Sequence, residues 1–357
     1  MISAPKLRDD LELLTGMDDR PLVYDPITGT YHRVTPAARV VLGHLDGTRT
    51  REELVALLGG GEPGRLEAFL ATLEESGLLV GSDPPEKPRR GRINTSLFMP
   101  RVVISRALPR LLEPLAAMLR RRNPRVLVAL FALGGLAGYP LAVVRTSTEG
   151  LSFPQIAGPA FVLAAVLQLA LMFVHETAHA LVAQVLRVPV RGLGVALLFY
   201  FMPLAYVDRT DAYRLRGRGG RIVLSLAGVM SDGWFTLVTA TVAFTTSGLP
   251  HHTASIMLVF QLLGLVINLN PLLPSDGYTA IEAATGLVDP RGRAFTLLGS
   301  KIIPRPLPEY LTNLPARARL AYLAYASISA AYICVLAVSV VSALPWVVRA
   351  ALAAVGP

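Results

Sequence analysis

FVHETAHALVAQVL, Phe173 to Leu186, closes an apolar run that begins near Ala157 and carries two histidines and a glutamate into a composition suited to lipid. The run is longer than the roughly 20 residues a helix needs to cross a bilayer. Ionisable side chains in a membrane are costly and are kept where they have a partner or a task. His175, Glu176 and His179 follow the pattern H-E-x-x-H. On a helix, residues four apart share a face, so both imidazoles can ligate one metal ion while Glu176, one position round, reaches a water beside it. Zinc suits such a set; it lowers the pKa of its water towards roughly 7 and polarises a peptide carbonyl, with the glutamate shuttling the proton. The expected chemistry is peptide-bond hydrolysis. So short a motif is weak alone; its place in an apolar run gives it weight, because three merely packed polar groups would need three compensations on one helical turn.

The rest of the chain agrees with a membrane setting. Of 357 residues, 52% are hydrophobic and 17% charged, below the roughly 25% charged of soluble domains. The net charge is +9, but the arginines flank apolar segments and do not interleave with aromatics, which reads as orientation and argues against nucleic acid. Cys334 is the single cysteine, inside an apolar run, so no intrachain disulfide and no cysteine metal cluster can form. The amino terminus has no apolar core of signal-peptide length, and neither secretion nor cleavage is expected there.

Five spans are expected, at about 126–144, 157–186, 222–245, 254–273 and 320–344. GLGVALLFYFMPLAYV, Gly192 to Val207, is short for a crossing and marked by glycine and proline, which predicts a re-entrant or hairpin segment. The tail PWVVRAALAAVGP is too short to cross alone. Arginines crowd the stretch before the first span, the loops around RVPVRG and DRTDAYRLRGRGGR, and the segment from DPRGRAF to PARAR; TTSGLPHHTAS has none. If Gly192 to Val207 returns to the side it left, that alternation predicts a cytoplasmic amino terminus, with the histidine motif at the cytoplasmic end. The excess of arginine over lysine points to a GC-rich bacterium, and so to its inner membrane.

A catalytic zinc usually takes three protein ligands and keeps one position open. Asp276, in INLNPLLPSDGY after the fourth span, is the best third candidate: Pro271 and Pro274 break the helix, and Gly277 frees the backbone to turn the carboxylate inward. Asp232 is expected to hydrogen-bond within the bundle, Asp208 and Asp211 to be solvated or salt-bridged, and His251 and His252 to sit in an outer loop away from the metal.

H-E-x-x-H on one span and Asn270-Pro271-x-x-Pro274-x-Asp276-Gly277 after a later one resemble the site-2 protease family of intramembrane zinc metalloproteases. FMPLAYVDRTDAYRL and RIVLSLAGVMSD are similar to its peptide zinc metalloprotease branch, found beside peptide-maturation genes, and the resemblance covers about 160–300. It implies His175, His179 and Asp276 as zinc ligands, Glu176 as catalytic acid/base, and Asn268 or Asn270 as groups that position substrate backbone or the oxyanion. One departure is Ala227-Gly228-Val229, where many relatives read Ala-Gly-Pro; it puts a local kink in doubt.

Residues 1–85 are polar, mixed in charge and free of any membrane-length run. VYDPITGTYHRV predicts two strands around a turn at Asp25 to Gly29; Thr35 and Pro36 open a helix, and two more follow, the last closed by Gly77. YHRVTPAARVVLGHLDGTRTREELVALL resembles the PqqD-like precursor-recognition domains, over about 20–80. In that family the domain binds a leader peptide as an added strand, a case of β-augmentation. A winged-helix-like domain with a packing or regulatory role is the plainer alternative. Residues 86–125 are expected to be a proline- and charge-rich linker, GSDPPEKPRRGR, and an amphipathic segment on the membrane surface. Residues 126–357 then form the transmembrane domain.

The chain is thus expected to be mainly α: a polytopic helical membrane protein of about five spans plus a re-entrant segment, with a small winged-helix-like α+β domain in front. Its expected work is intramembrane zinc-dependent cleavage of a ribosomally made precursor peptide, with lipid around it and peptide-modifying enzymes or an exporter as further partners. A regulatory protease cleaving a membrane-tethered regulator, and a non-proteolytic zinc protein that binds peptides for export or immunity, are the alternatives. Histidine-rich di-iron membrane oxidases fit poorly, since the chain has 6 histidines.

Overall fold

The computed structural model describes residues 4–16, 21–57, 63–82, 93–96, 99–149, 158–198, 202–208, 210–287, 289–303, 307, 309–312 and 314–355. They form two compact units. The first comprises Met1–Ile104 with Ala196–Met202 and Thr210–Arg218; the second is the remainder.

In the first unit, β1 (Glu12–Thr15), β2 (Pro21–Asp25) and β3 (Thr30–Arg33) form an antiparallel sheet in that order. The expected hairpin is β2–β3, and Gly29 takes the positive φ its turn needs. β1 was not foreseen: ELLT has no alternation to mark it, and pairing with β2 makes it a strand. α1 (Pro36–Gly43), α2 (Arg51–Leu57) and α3 (Pro63–Glu75) follow. Thr35 caps α1, its side chain accepting from the Ala38 N–H, and Gly77 closes α3 in the left-handed region. Val23, Leu42, Leu54, Leu70 and Leu79 meet in the core. Asp25 is buried among three donors: Arg8 Nη2 at 2.6 Å, Ile27 N at 2.9 Å and Thr28 Oγ1 at 2.8 Å. A 3-10 turn at Thr210–Arg214 also belongs here: the Tyr31 hydroxyl donates to buried Asp211, and Arg214 donates to Tyr31 and pairs with Glu12 at 3.0 Å. Asp211 is therefore paired, as its arginine neighbours suggested.

The stretch read as a surface amphipath begins as strand. β4 (Ile93–Ser96) and β5 (Met99–Ser105) pair antiparallel, and only then does α4 (Leu108–Arg120) start. The β-branched run Val102-Val103-Ile104 favours strand over helix. Most of the proline-rich linker, 83–92, lies outside the described residues. β6 (Leu193–Leu198) and β7 (Met202–Val207) continue the sheet in the order β4-β5-β6-β7, so Gly192 to Val207 holds a pair of neighbouring strands.

Among the described residues, the second unit holds five helices long and apolar enough to cross a membrane, as a mainly α polytopic architecture requires. They are α5 (Pro124–Glu149), α6 (Pro159–Val185), α7 (Arg218–Thr245), α8 (Gly248–Leu269) and, after α9 (Asp276–Thr285), α10 (Pro290–Ile302) and α11 (Glu309–Thr312), the first part of α12 (Ala316–Val355). α8 starts early enough to include His251 and His252, which were expected in a loop. The tail expected to be too short continues α12 through Pro345. α5 and α7 touch backbone to backbone: a Cβ on Gly138 would lie 2.1 Å from the Gly233 carbonyl oxygen. Small residues allow such an approach where lipid gives no hydrophobic drive between helices.

Candidate metal centre

α6 and α7 run antiparallel at the site, with His175 opposite Asp232 and His179 opposite Leu224. The His175 Nδ1 donates to Asp232 Oδ2 at 2.7 Å, and the His179 Nδ1 donates to the Leu224 carbonyl at 2.8 Å. Leu224, Gly228 and Asp232 are spaced by four, so they form one line along α7. Gly228 leaves the gap that the first imidazole fills: a Cβ there would stand 2.2 Å from both Cε1 and Nε2 of His175. The sequence reading raised Ala227-Gly228-Val229 only for the kink it puts in doubt; the use of Gly228 is room for a ring.

Asp276 arrives from α9. α8 ends at Leu269, and Asn270 Oδ1 accepts from the Leu272 N–H while Asn270 O accepts from Ser275 Oγ at 2.7 Å. Ser275 then caps α9, accepting from the Tyr278 N–H. Gly277 has an ordinary φ, contrary to the expectation of a freed backbone. It serves close approach, since a Cβ would lie 2.5 Å from the Leu269 carbonyl oxygen. The turn brings Asp276 Oδ2 to 3.1 Å from His175 Nε2 and 2.9 Å from His179 Nε2, while the two Nε2 atoms are 3.3 Å apart.

A carbonyl and a carboxylate only accept, so each histidine carries its proton on Nδ1 and, when neutral, turns an Nε2 lone pair inward. With both rings neutral, two lone pairs and a carboxylate oxygen converge in a buried place. Such a triangle repels itself until a cation occupies it. Two imidazole nitrogens and one carboxylate oxygen suit a small divalent metal, whose bonds of about 2.0–2.2 Å set tetrahedral ligands roughly 3.3–3.6 Å apart. The observed spacings run from that lower bound to about 0.4 Å below it, so the ligands would open slightly around an ion. Both histidines also have the outer hydrogen-bond partner that metal-bound imidazoles need.

Glu176 is half-buried, and its ligand atom lies within 4.8 Å of those of both histidines. Its Oε2 accepts from the Val207 N–H at 2.8 Å, so the end of β7 aims it. The two asparagines differ: the Asn270 side chain is used in the turn, whereas the half-buried Asn268 amide makes no hydrogen bond among the described residues. His251 and His252 stay apart from the triangle; their rings meet edge to face, and His251 Nδ1 donates to the Ala243 carbonyl. Asp232 hydrogen-bonds inside the bundle as expected, although His175 as its partner was not foreseen; no local signal existed for the Leu224 carbonyl or the Val207 amide. Comparison of the chain with protein-family models, with curated proteins and with solved structures gives no match.

Proposed function

We propose that this chain is an intramembrane zinc endopeptidase of a bacterial inner membrane, whose cytoplasmic amino-terminal domain captures a ribosomally made precursor peptide for cleavage. The observation that carries the reading is the convergence of His175 Nε2, His179 Nε2 and Asp276 Oδ2 with Glu176 alongside. Those three would hold the zinc. When bound, zinc supplies Lewis-acid polarisation of the scissile carbonyl and a water that is nucleophilic near neutral pH.

The chain's own groups do the rest. Asp232 and the Leu224 carbonyl keep both imidazoles in the ligating tautomer. Glu176, steadied by the Val207 N–H, takes a proton from the attacking water and passes it to the leaving amine as the peptide bond breaks. β7 is the last strand of its sheet, so an extended substrate can add main-chain hydrogen bonds beside Glu176. Asn268, with its amide uncommitted, is the better of the two asparagines for orienting substrate backbone; Asn270 shapes the turn. In the amino-terminal domain, β1 and β3 are the outer strands, beside which a leader strand would add. Peptide-modifying enzymes or an exporter would act on the same precursor.

The test is mass spectrometry of precursor peptides incubated with the purified full-length protein and with Glu176→Gln. Cleavage by the wild type and its loss in the variant, with metal content unchanged, is the expected result. Undiminished cleavage by Glu176→Gln refutes the mechanism, and leader-independent cleavage of a membrane-tethered protein would favour the regulatory role.

A further inference from the structure

α4 is too short to cross a bilayer, yet it is apolar on two opposite sides. One side is packed: Ala116 is fully buried, Gln184 Nε2 donates to the Pro109 carbonyl at 2.6 Å, and Arg120 Nη1 donates to the Gln184 carbonyl at 2.9 Å. Gln184 lies in the last turn of α6, the helix of His175 and His179. The other side shows Leu111, 74% exposed, Leu115 and Met118, at spacings of four and three that form one stripe. Arg110, Arg121, Arg122 and Arg125 stand exposed around it, and among the described residues none makes an ion pair. The single acid of the segment, Glu113, is taken by Arg120.

What covers this face follows from position and charge. α4 ends at Arg120 and the first span starts at Pro124, so the stripe lies where chain enters the membrane. A second copy would set the same arginines against one another across a two-fold axis. We propose that α4 is an interfacial helix that docks on anionic phospholipid. Its leucines and methionine enter the acyl boundary, its arginines bind headgroup phosphates, and Arg120 with Gln184 passes the docking to α6, fixing the depth of the metal-binding helix. The inference does not depend on the activity proposed above.

The experiment uses full-length protein in nanodiscs of phosphatidylcholine alone, or with about a third phosphatidylglycerol. Hydrogen exchange of the amides from Leu111 to Arg120 is the readout, with native mass spectrometry counting retained phosphatidylglycerol. Exchange should slow in the anionic discs by about fivefold for each arginine engaged. The protection should fall as salt rises, and it should vanish in the variant Arg110→Gln/Arg121→Gln/Arg122→Gln. Equal exchange of the wild type in both discs, protection insensitive to salt, or the same protection from inorganic phosphate in phosphatidylcholine discs would each overturn the proposal. The lipid and salt arms use wild type alone, so they hold even where the triple variant does not insert.

Discussion

Gly228→Ala tests the proposed metal centre most directly, because one methyl on α7 would displace the ring of a candidate ligand. The new Cβ would stand 2.2 Å from His175 Cε1 and Nε2, where ordinary contact begins at 3.4 Å, so the ring must retreat by about 1.2 Å. Metal–ligand distances tolerate about 0.2 Å. A retreat of that size also breaks the 2.7 Å bond from His175 Nδ1 to Asp232. Losing an outer partner costs about 10–100-fold in metal affinity, so losing partner and ligand together should cost at least about 100-fold, or ~2.7 kcal/mol. The helix itself should survive, since alanine favours helix over glycine by about 1 kcal/mol, offsetting part of an overpacking cost of about 1–3 kcal/mol. Zinc affinity by chelator competition, with helicity by circular dichroism, separates the two effects. Gly220→Ala on the same helix is the control, as its Cβ meets only Leu186 at 3.9 Å. Wild-type zinc affinity in Gly228→Ala, beside a clear loss in His175→Ala, would refute the geometry.

Asp232→Asn should keep the fold and weaken zinc binding about 10–100-fold, read by the same competition. Asp276→Asn should weaken it too, and unchanged stoichiometry and affinity would remove that residue from the ligand set. In the amino-terminal domain, Arg8→Ala strands buried Asp25 and should cost about 3–5 kcal/mol, seen as easier proteolysis of that domain alone. Acid should act on the same pair. Burial by itself would raise the Asp25 carboxyl, but hydrogen bonds from Arg8, Thr28 and Ile27 and the Arg8 charge outweigh it and hold the pKa below the ordinary value. A carboxyl depressed in the folded state stabilises above its unfolded value near 3.9 and loses that contribution as pH falls through the folded pKa. Protease resistance of the domain should therefore be level from about pH 5 to 8 and decline below about pH 4; a decline centred near neutrality would contradict the pairing.

Much of the site was legible because its signals are local. His175 and His179 share a face by spacing alone, and Asp276 stands out after a helix-breaking pair of prolines. The capping of α1 by Thr35 and the Gly77 stop of α3 are likewise local, each needing one side chain or one φ. The strands were harder. β1 exists because β2 offers it hydrogen bonds, and β4 and β5 lie in a stretch whose arginines suggested a surface helix. Pairing partners decide such segments, and a partner distant in sequence leaves no local trace.

The apolar runs by themselves determined a helical membrane protein, because lipid leaves a backbone no other hydrogen-bond acceptors and so forces each long run into helix. They also determined that two imidazoles and a glutamate share one helical turn. Only the tertiary structure decided that His175 faces Asp232 and His179 the Leu224 carbonyl, that Gly228 makes the room, and that Val207 aims Glu176. Those choices depend on which helix faces meet and at what register, and that is settled by close packing at residues such as Gly138, Gly233 and Gly277, not by any periodicity within one segment.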